Sequence, residues 1–505
     1  MLRYILLAVI QASLLLNTWA LPADIDIRAT SEDKDACGQI QKAISSASEL
    51  FYPGSEGYDR DIAHWAPSSS QQAACSVEPG NTDDLSKIIQ IIGSTRAKFA
   101  VKAGGHTANA KWSSTAGVQI VMYRFNEVSY DAKTQTATVG TGLVWDDVYA
   151  GLEPYNVHVA GARVTGIGVG GFIMGGGNKG YSWFMNQYGL AIDTVVAYEL
   201  VKPDGSVGWV TESSDPDLFF ALKGGMNNFG VVTRIILKAF PGGLVWGGLI
   251  QYVSGFDQVM AAVQKFTETV TDPKAAILTT FNYVLGNLGI SQQLFYDGPN
   301  PPPDIFDDFL SGTAQSVISD VKTRTLYDLI RSTQANATAG TRAVFNTVPL
   351  KKITLNMMQA VVNETKFYAE AGTPNSGVFT AYTFEPHLSD ILTHTNSPSA
   401  WPPSRSSADY PLFIHYAWTS ESADESFRSA IKQSVAHLTD VAKAEGQKDV
   451  GKTNPYPNYV YDANAKKVYG DNLPKLKEIK KRVDPQDVMG LAGGLKIRPW
   501  EDNGQ

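Results

Sequence analysis

At 505 residues, with 43% apolar and 18% charged side chains, the chain is long enough for two or three domains with full cores. A formal net charge of −8 argues against nucleic acid or an anionic membrane as a partner. Aromatic residues, at 10% with 22 Tyr and 10 Trp, suit an aromatic-lined pocket and equally a dense core.

Residues 1–20 read as a secretory signal, which predicts a secreted, extracellular protein. Arg3 gives a positive start, Leu6 to Leu16 is mostly apolar, and Thr18-Trp19-Ala20 places small residues before a cut ahead of Leu21. A buried helix or a membrane anchor is the alternative. The stretch is short for a bilayer, though, and Pro22 follows at once. In an oxidising compartment the chain's two cysteines, Cys37 and Cys75, pair most simply as a disulfide that pins the N-terminal arm to the first domain. Asn336-Ala-Thr and Asn363-Glu-Thr are glycosylation sequons, a triplet that also occurs often by chance.

Residues 21–70 are polar and irregular, apart from a short helix expected around Gln39 to Leu50. Thr82-Asp83-Asp84 then opens a helix whose Leu85, Ile88, Ile89 and Ile92 form one apolar face. It leads into a strand, Phe99 to Ala103, and a turn, Gly104-Gly105-His106-Thr107. Glycines there let backbone N–H groups approach a phosphate closely. A second run, Thr165-Gly166-Ile167-Gly168-Val169-Gly170-Gly171 with Gly175-Gly176-Gly177, follows later. Together the runs read as the cradle of one pyrophosphate-bearing cofactor anchored by His106. The strand does not carry GxGxxG into a helix, which disfavours a Rossmann site.

Further strands are expected at Val118 to Met122, Thr136 to Val139, Val195 to Val201 and Gly230 to Leu237. Asp204-Gly205 marks a hairpin, and Ser214-Asp215-Pro216-Asp217 starts a helix through Leu222. The first domain ends near Pro241-Gly242-Gly243. Beyond it, strands at Leu244 to Val253, Ala276 to Val284, Ser291 to Tyr296, Val378 to Glu385 and Leu412 to Trp418 are interleaved with helices. These helices are expected at Phe256 to Val270, Thr354 to Ala371 and Glu421 to Ala444. That order predicts an α+β domain on one mostly antiparallel sheet. A last helix carries Leu473, Leu476 and Ile479 and closes at Asp484-Pro485. The other five histidines show no metal-ligand spacing, and no Gly-x-Ser-x-Gly elbow or P-loop occurs.

Several of these stretches together resemble a known family. They are Lys102 to His106, Val139-Gly-Thr-Gly-Leu-Val-Trp145, Gly168-Val-Gly-Gly171 with Gly175 to Gly177, Tyr188-Gly-Leu190, Asp217 to Gly225 and Phe229-Gly-Val-Val-Thr233. This ordered set is similar to the FAD domain of the vanillyl-alcohol-oxidase, PCMH-type superfamily. Pro457-Asn458-Tyr459 and Lys480 to Pro485 resemble the tail of its berberine-bridge-enzyme-like branch, with secreted fungal oxidases the nearest kind. The resemblance implies a two-lobed α+β fold. After the signal and an arm (21–65) come an FAD lobe (66–242), a substrate domain with a helix-covered antiparallel sheet (243–454), and a segment (455–505) returning to the FAD lobe.

It also implies FAD tethered covalently through His106. Cofactor contacts carry over to Lys102, Ala103, Gly104, Gly105, Thr107, Thr165, Gly166, Gly168, Gly170, Gly171, Gly176, Val232 and Asn458. Many relatives add a cysteine tether at the place of Val164; this chain has none there, which predicts attachment through His106 only. Phe172 stands where relatives often have His, and Asn178 where they often have Tyr.

Two base candidates follow. Tyr459 matches a tyrosine that faces substrate in this branch, but a phenol needs activation by a neighbour. His415 shares a strand face with Phe413 and Ala417, opposite Leu412, Ile414, Tyr416 and Trp418, and reads either as a base or as a hydrogen-bonded strand histidine. The expected activity is oxidation of a small alcohol or natural-product intermediate by a monomer, with O2 as the electron acceptor. Alternatives are a carbohydrate oxidase, a dehydrogenase using another acceptor, and a flavin-bearing cyclase.

Overall fold

The first lobe begins with a helix, Ser31–Ala43, set by a capping box in which Thr30 and Asp33 satisfy each other's exposed backbone N–H groups. This helix starts upstream of the one expected at Gln39 to Leu50 and overlaps it only as far as Ala43; a turn and the start of a short strand, Glu49–Phe51, take the rest of that stretch. The computed structural model describes residues 29–176, 182–284, 286–312, 314–333, 335–406 and 408–500. The signal at 1–20, the start of the arm and Asn178 lie outside the described residues.

Strands β1 (Glu49–Phe51), β2 (Cys75–Glu78), β3 (Phe99–Lys102) and β4 (Val118–Val121) form one sheet in the order β1-β2-β4-β3. β2 and β3 run parallel to β4 because the helix Thr82–Thr95 carries the chain back between them. Asn81 caps that helix by accepting from Asp84 N–H at 2.8 Å, and Leu85, Ile88, Ile89 and Ile92 are buried as their spacing requires.

The next strands are β5 (Val128–Asp131), β6 (Thr136–Gly140), β7 (Val157–His158), β8 (Val195–Val201), β9 (Val207–Val210), β10 (Val231–Lys238) and β11 (Phe240–Pro241). They make an antiparallel sheet, β5-β6-β10-β8-β9, and a ribbon, β7 with β11. Asp204-Gly205 forms the β8–β9 hairpin turn as expected, with Gly205 at φ +86°.

The second lobe is one antiparallel sheet of β12 (Val245–Tyr252), β13 (Ala275–Val284), β14 (Asn287–Tyr296), β15 (Ser316–Arg324), β16 (Arg342–Leu350), β17 (Gly377–Phe384) and β18 (Tyr410–Trp418). Its order is β15-β12-β14-β13-β17-β18-β16. β15 and β16 were not expected from the sequence, and both are edge strands. β15 is largely exposed and carries Asp320, Lys322 and Arg324, so it lacks apolar alternation. β16 contains Pro349, which has no N–H to give a ladder and so weakens the strand signal.

Alternation sorts this sheet into two faces. Ile277, Phe281, Leu412, Ile414, Tyr416 and Trp418 pack under the helices Phe256–Thr269, Leu355–Gly372 and Asp424–Ala444. Ala276, Leu278 and Phe295 point the other way and join the core of the first lobe. At about 1.5–3 kcal/mol per fully buried large apolar side chain, this shared core holds the lobes in one arrangement. Asn363 of the second sequon is exposed on the helix Leu355–Gly372.

The C-terminal segment returns to the first lobe. Ala492 bridges Phe99 of β3, while the Asn228 side chain donates to Leu495 O and accepts from Ile497 N–H, each at 3.0 Å. Cys37 and Cys75 are bonded as expected, joining the first helix to β2 across a sequence separation of 38. Replacing both by serine removes a loop constraint on the unfolded chain. It should cost about 2–4 kcal/mol, read as a lower midpoint in denaturant unfolding.

Candidate active site

Two glycine runs meet through their backbones. β3 ends at Lys102 and the chain turns through Gly104 and Gly105, the latter at φ +66°, a left-handed value that favours glycine. The second run is stitched to the turn after β6: Trp145 N–H donates to Ile167 O and Val169 N–H to Leu143 O, both at 2.9 Å. This sets Gly168 directly on Gly104. A Cβ on Gly104 would sit 2.6 Å from Gly168 Cα, and one on Gly168 would sit 2.5 Å from Gly104 N. Among the described residues, the N–H groups of Gly104, Gly105, His106 and Thr107 have no hydrogen-bond partner. Successive unspent N–H groups in a turn make an anion-binding concavity, and the pyrophosphate of FAD fits this donor set. Gly171 leaves space beside it, since a Cβ there meets nothing within 4 Å.

His106 follows at once. Its ring lies 4.6 Å from that of Trp65, and it has no hydrogen-bond partner among the described residues. Burial pulls its pKa down to about 4, which leaves a neutral imidazole with an uncommitted lone pair. Trp65, which the sequence did not single out, is fixed from both lobes. Its N–H donates to Gly105 O at 3.0 Å and its carbonyl accepts from Gly340 N–H at 2.9 Å.

From Trp65 a line of rings crosses to the second lobe's sheet. Phe345 and His415 each lie 5.7 Å from Trp65, Phe413 lies 5.3 Å from Phe345, and Tyr459 lies 4.2 Å from Phe413. The alternation read for Leu412 to Trp418 is realised, and Phe413 and His415 face away from the helix-covered core. Burial first, and the neighbouring His106 second, pull the His415 pKa down to about 3. Such an imidazole is too weak a base to take up a proton at neutral pH. Its Nε2 is buried without a partner among the described residues.

The Tyr459 hydroxyl is hydrogen-bonded to Glu385, the neighbour a phenol base requires. Glu385 stands one residue past β17 and is 1% exposed. It is paired with Arg163, whose guanidinium also lies 5.6 Å from the Trp183 ring. Burial pushes the Glu385 carboxyl up to about 7, against the pull of Arg163 and Tyr459. Burial, and then Glu385, push the Tyr459 phenol well above its ordinary value. Strand parity offered a signal for Glu385, because Ala381 and Thr383 share its face while Tyr382 and Phe384 enter the core.

Comparison with known proteins agrees with this geometry. Residues 73–211 match the model of the FAD binding domain. The FAD-dependent monooxygenase tpcD of Cochliobolus heterostrophus is 30% identical over 455 residues, covering 86% of each chain. The chain belongs to the FAD-dependent oxidoreductases that carry this FAD binding domain. The carbohydrate oxidase of Microdochium nivale shares the fold at a TM-score of 0.74 and 21% identity, over 92% of this chain and 100% of that one. So does the glucooligosaccharide oxidase of Acremonium strictum, described with a 6-S-cysteinyl, 8α-N1-histidyl FAD. Its TM-score is 0.73 at 19% identity, over 92% of this chain and 100% of that one.

In this oxidoreductase several residues expected at the cofactor have structural partners that brace the cradle. The Lys102 side chain braces the turn from below. Its Nζ donates to Arg60 O at 3.2 Å and Asp61 O at 2.8 Å, the end of the helix Glu56–Ile62, and burial lowers its pKa to about 8. Thr165 and Gly166 are bound to Asp146, through Thr165 Oγ1 at 2.6 Å and Gly166 N–H at 2.8 Å, while Thr165 N–H donates to Thr333. Those groups are already spent, so the first run supplies the free donors. Val232 sits within β10, and its carbonyl accepts from Thr141 Oγ1 at 2.8 Å.

Ala103 packs against Gly170, where a Cβ would lie 3.1 Å from the Ala103 methyl carbon. Thr107 Oγ1 accepts from Asn109 N–H at 3.2 Å, and Gly176 adopts φ +112°. Asn458 fills the space a Gly175 Cβ would need and donates to Gly171 O at 3.1 Å. Phe172 stands edge-on to Trp145. Because neither backbone at the Gly104–Gly168 contact can yield, Gly168→Ala should lose about 1–3 kcal/mol and most of its bound flavin, measured by thermal unfolding and the flavin-to-protein absorbance ratio. Gly171→Ala should keep wild-type stability.

Proposed function

We propose that this FAD-dependent oxidoreductase is a secreted oxidase. It removes a hydride from the hydroxyl-bearing carbon of a small organic alcohol or natural-product intermediate. The observation that carries this reading is the Tyr459–Glu385–Arg163 relay, reached by unbroken ring contacts from His106. FAD, when bound, takes the hydride and returns two electrons to O2, giving hydrogen peroxide.

The protein's own task is the proton. As the carbon loses hydride, the substrate hydroxyl gives its proton to Tyr459 Oη, and Tyr459 passes its own proton to Glu385. A phenol alone is a poor base at neutral pH. A carboxylate raised to about 7 is well matched to receive a proton there. Arg163 holds Glu385 in place and favours its ionised form. Burial of Glu385 keeps water from competing for the proton it receives.

The cofactor is held, in this reading, by the free N–H groups of the first glycine run and a single bond to His106. The neutral His106 imidazole supports that bond, and both cysteines of the chain are occupied in the disulfide, so no thiol remains for a second. The disulfide and the exposed Asn363 sequon support an extracellular setting. A carbohydrate oxidase, the activity named for the Microdochium nivale neighbour, is the second reading.

Two outcomes test the scheme. Wild-type protein should stay yellow after acid precipitation, and His106→Ala should release its flavin to the supernatant. Flavin retained by the denatured mutant would show a second bond. In turnover, kcat/KM should fall as pH drops through about 7, because protonation of Glu385 removes the acceptor. Glu385→Gln and Tyr459→Phe should each lower kcat by about 10²–10⁴-fold. The double variant should be little worse than either single one, because the two residues act as one relay. Unchanged turnover in both single variants would overturn the assignment.

A further inference from the structure

The face of the second lobe's sheet turned toward the glycine cradle divides into two parts. One part is a wall of rings. Phe345 lies across from His415 in register, at 4.9 Å, and Phe379 lies 5.1 Å from the same imidazole. Phe413, Tyr459 and Trp65 complete the wall. Apart from His415, each of these rings is only partly buried, so its surface reaches the space between the lobes.

The other part, further along the same face, is polar but satisfied internally. Asn282 Nδ2 donates to Ser291 Oγ at 2.8 Å, Ser291 in turn donates to Gln251, and Thr280 and Thr383 share a hydrogen bond at 2.9 Å. The Arg163 guanidinium is engaged by Glu385. Within the ring wall two polar edges are without a partner among the described residues, Trp65 Nε1 and His415 Nε2, and of the two only the imidazole can accept as well as donate.

We propose that the substrate is a hydroxylated arene. Its planar ring system lies against Trp65, Phe345 and Phe413, and its phenolic hydroxyl pairs with the His415 imidazole. The inference rests on the oxidase reading and narrows it. Aromatic faces in offset or edge contact gain energy beyond their buried area. A sugar placed on the same wall would bury several hydroxyls against carbon, each costing about 1–3 kcal/mol if unpaired. A phenolic hydroxyl both donates and accepts, so it satisfies either tautomer of a neutral imidazole. This gives His415 a binding role in place of the base role its strand position first indicated, and its low basicity suits an uncharged partner.

Binding can be read without turnover, from the change in flavin absorbance of the resting holoenzyme under anaerobic titration. Three probes are used: 2-naphthol, naphthalene and cellobiose. The expected result is that 2-naphthol binds about tenfold more tightly than naphthalene and that cellobiose gives no saturable change. A tenfold ratio corresponds to about 1.4 kcal/mol. His415→Phe should erase the difference between the two arenes while naphthalene still binds. Phe345→Leu should weaken both arenes by about three- to tenfold, and Phe413→Leu serves the same purpose if the first variant does not fold.

Cellobiose binding as tightly as 2-naphthol would overturn the proposal, as would an arene difference that survives in His415→Phe. The oxidase reading fails separately. If 2-naphthol binds as expected but coniferyl alcohol and other aryl alcohols yield no peroxide in air, the arene site stands and the oxidase falls. If sugars yield peroxide and no arene binds, the oxidase stands and the arene site falls.

Discussion

The contact of Gly104 with Gly168 is the constraint on which the site depends. Two backbone segments far apart in sequence lie closer than any side chain permits. That approach turns the N–H groups after Gly104 away from every protein acceptor and leaves them to a ligand. It also fixes where His106 emerges, beside the ring of Trp65. The bond network from Asp146 to Thr165 and Gly166 serves the same end by pinning the second run from behind.

The seven-stranded sheet then gives the site its opposite wall. Its two faces carry different chemistry because side chains alternate along each strand. One face is sealed under three helices, and the other continues the first lobe's core through Ala276, Leu278 and Phe295 before opening into the aromatic wall. The Tyr459–Glu385–Arg163 cluster is assembled from three separate places: the stretch just before the second glycine run supplies Arg163, the end of β17 supplies Glu385, and the returning C-terminal segment supplies Tyr459. Burial does the chemical tuning. The same desolvation that raises Glu385 lowers His106 and His415, so the acid becomes a usable proton acceptor while both imidazoles stay neutral.

Much of this was legible in the sequence, and unevenly so. Glycine runs, the Asp204-Gly205 turn, the cysteine pair and the alternation of Leu412 to Trp418 are local signals with one structural solution each. β15 and β16 escaped because an edge strand has a partner on one side only and tolerates charge and proline. Glu385, Arg163 and Trp65 escaped for another reason. Their roles arise from contacts between distant segments, and a lone Glu or Arg in a sequence does not name its partner. Arg163 stood inside a run of small residues with no acid nearby, which marked a charge in need of a distant counter-ion. Lys102 is the opposite case, a residue inside a legible motif whose side-chain partner is distant. It lies beside the glycine turn, yet it is the last residue of β3 and its side chain passes beneath the turn to a helix end.

The segment between β17 and β18 joins Glu385 to Tyr410 by way of the first lobe. Its Trp401 is fully buried, its Arg405 grips Asp193 at 2.7 Å and 2.9 Å, and Ala400 N–H donates to Phe220 O at 3.0 Å. Glu385 is thus moored to the half of the molecule that carries the glycine cradle, although it belongs in sequence to the other half. A clamshell motion would have to tear out a buried tryptophan and a bidentate ion pair each time it opened. Glu385 therefore keeps its distance from the glycine cradle for as long as Trp401 stays buried and Arg405 stays paired.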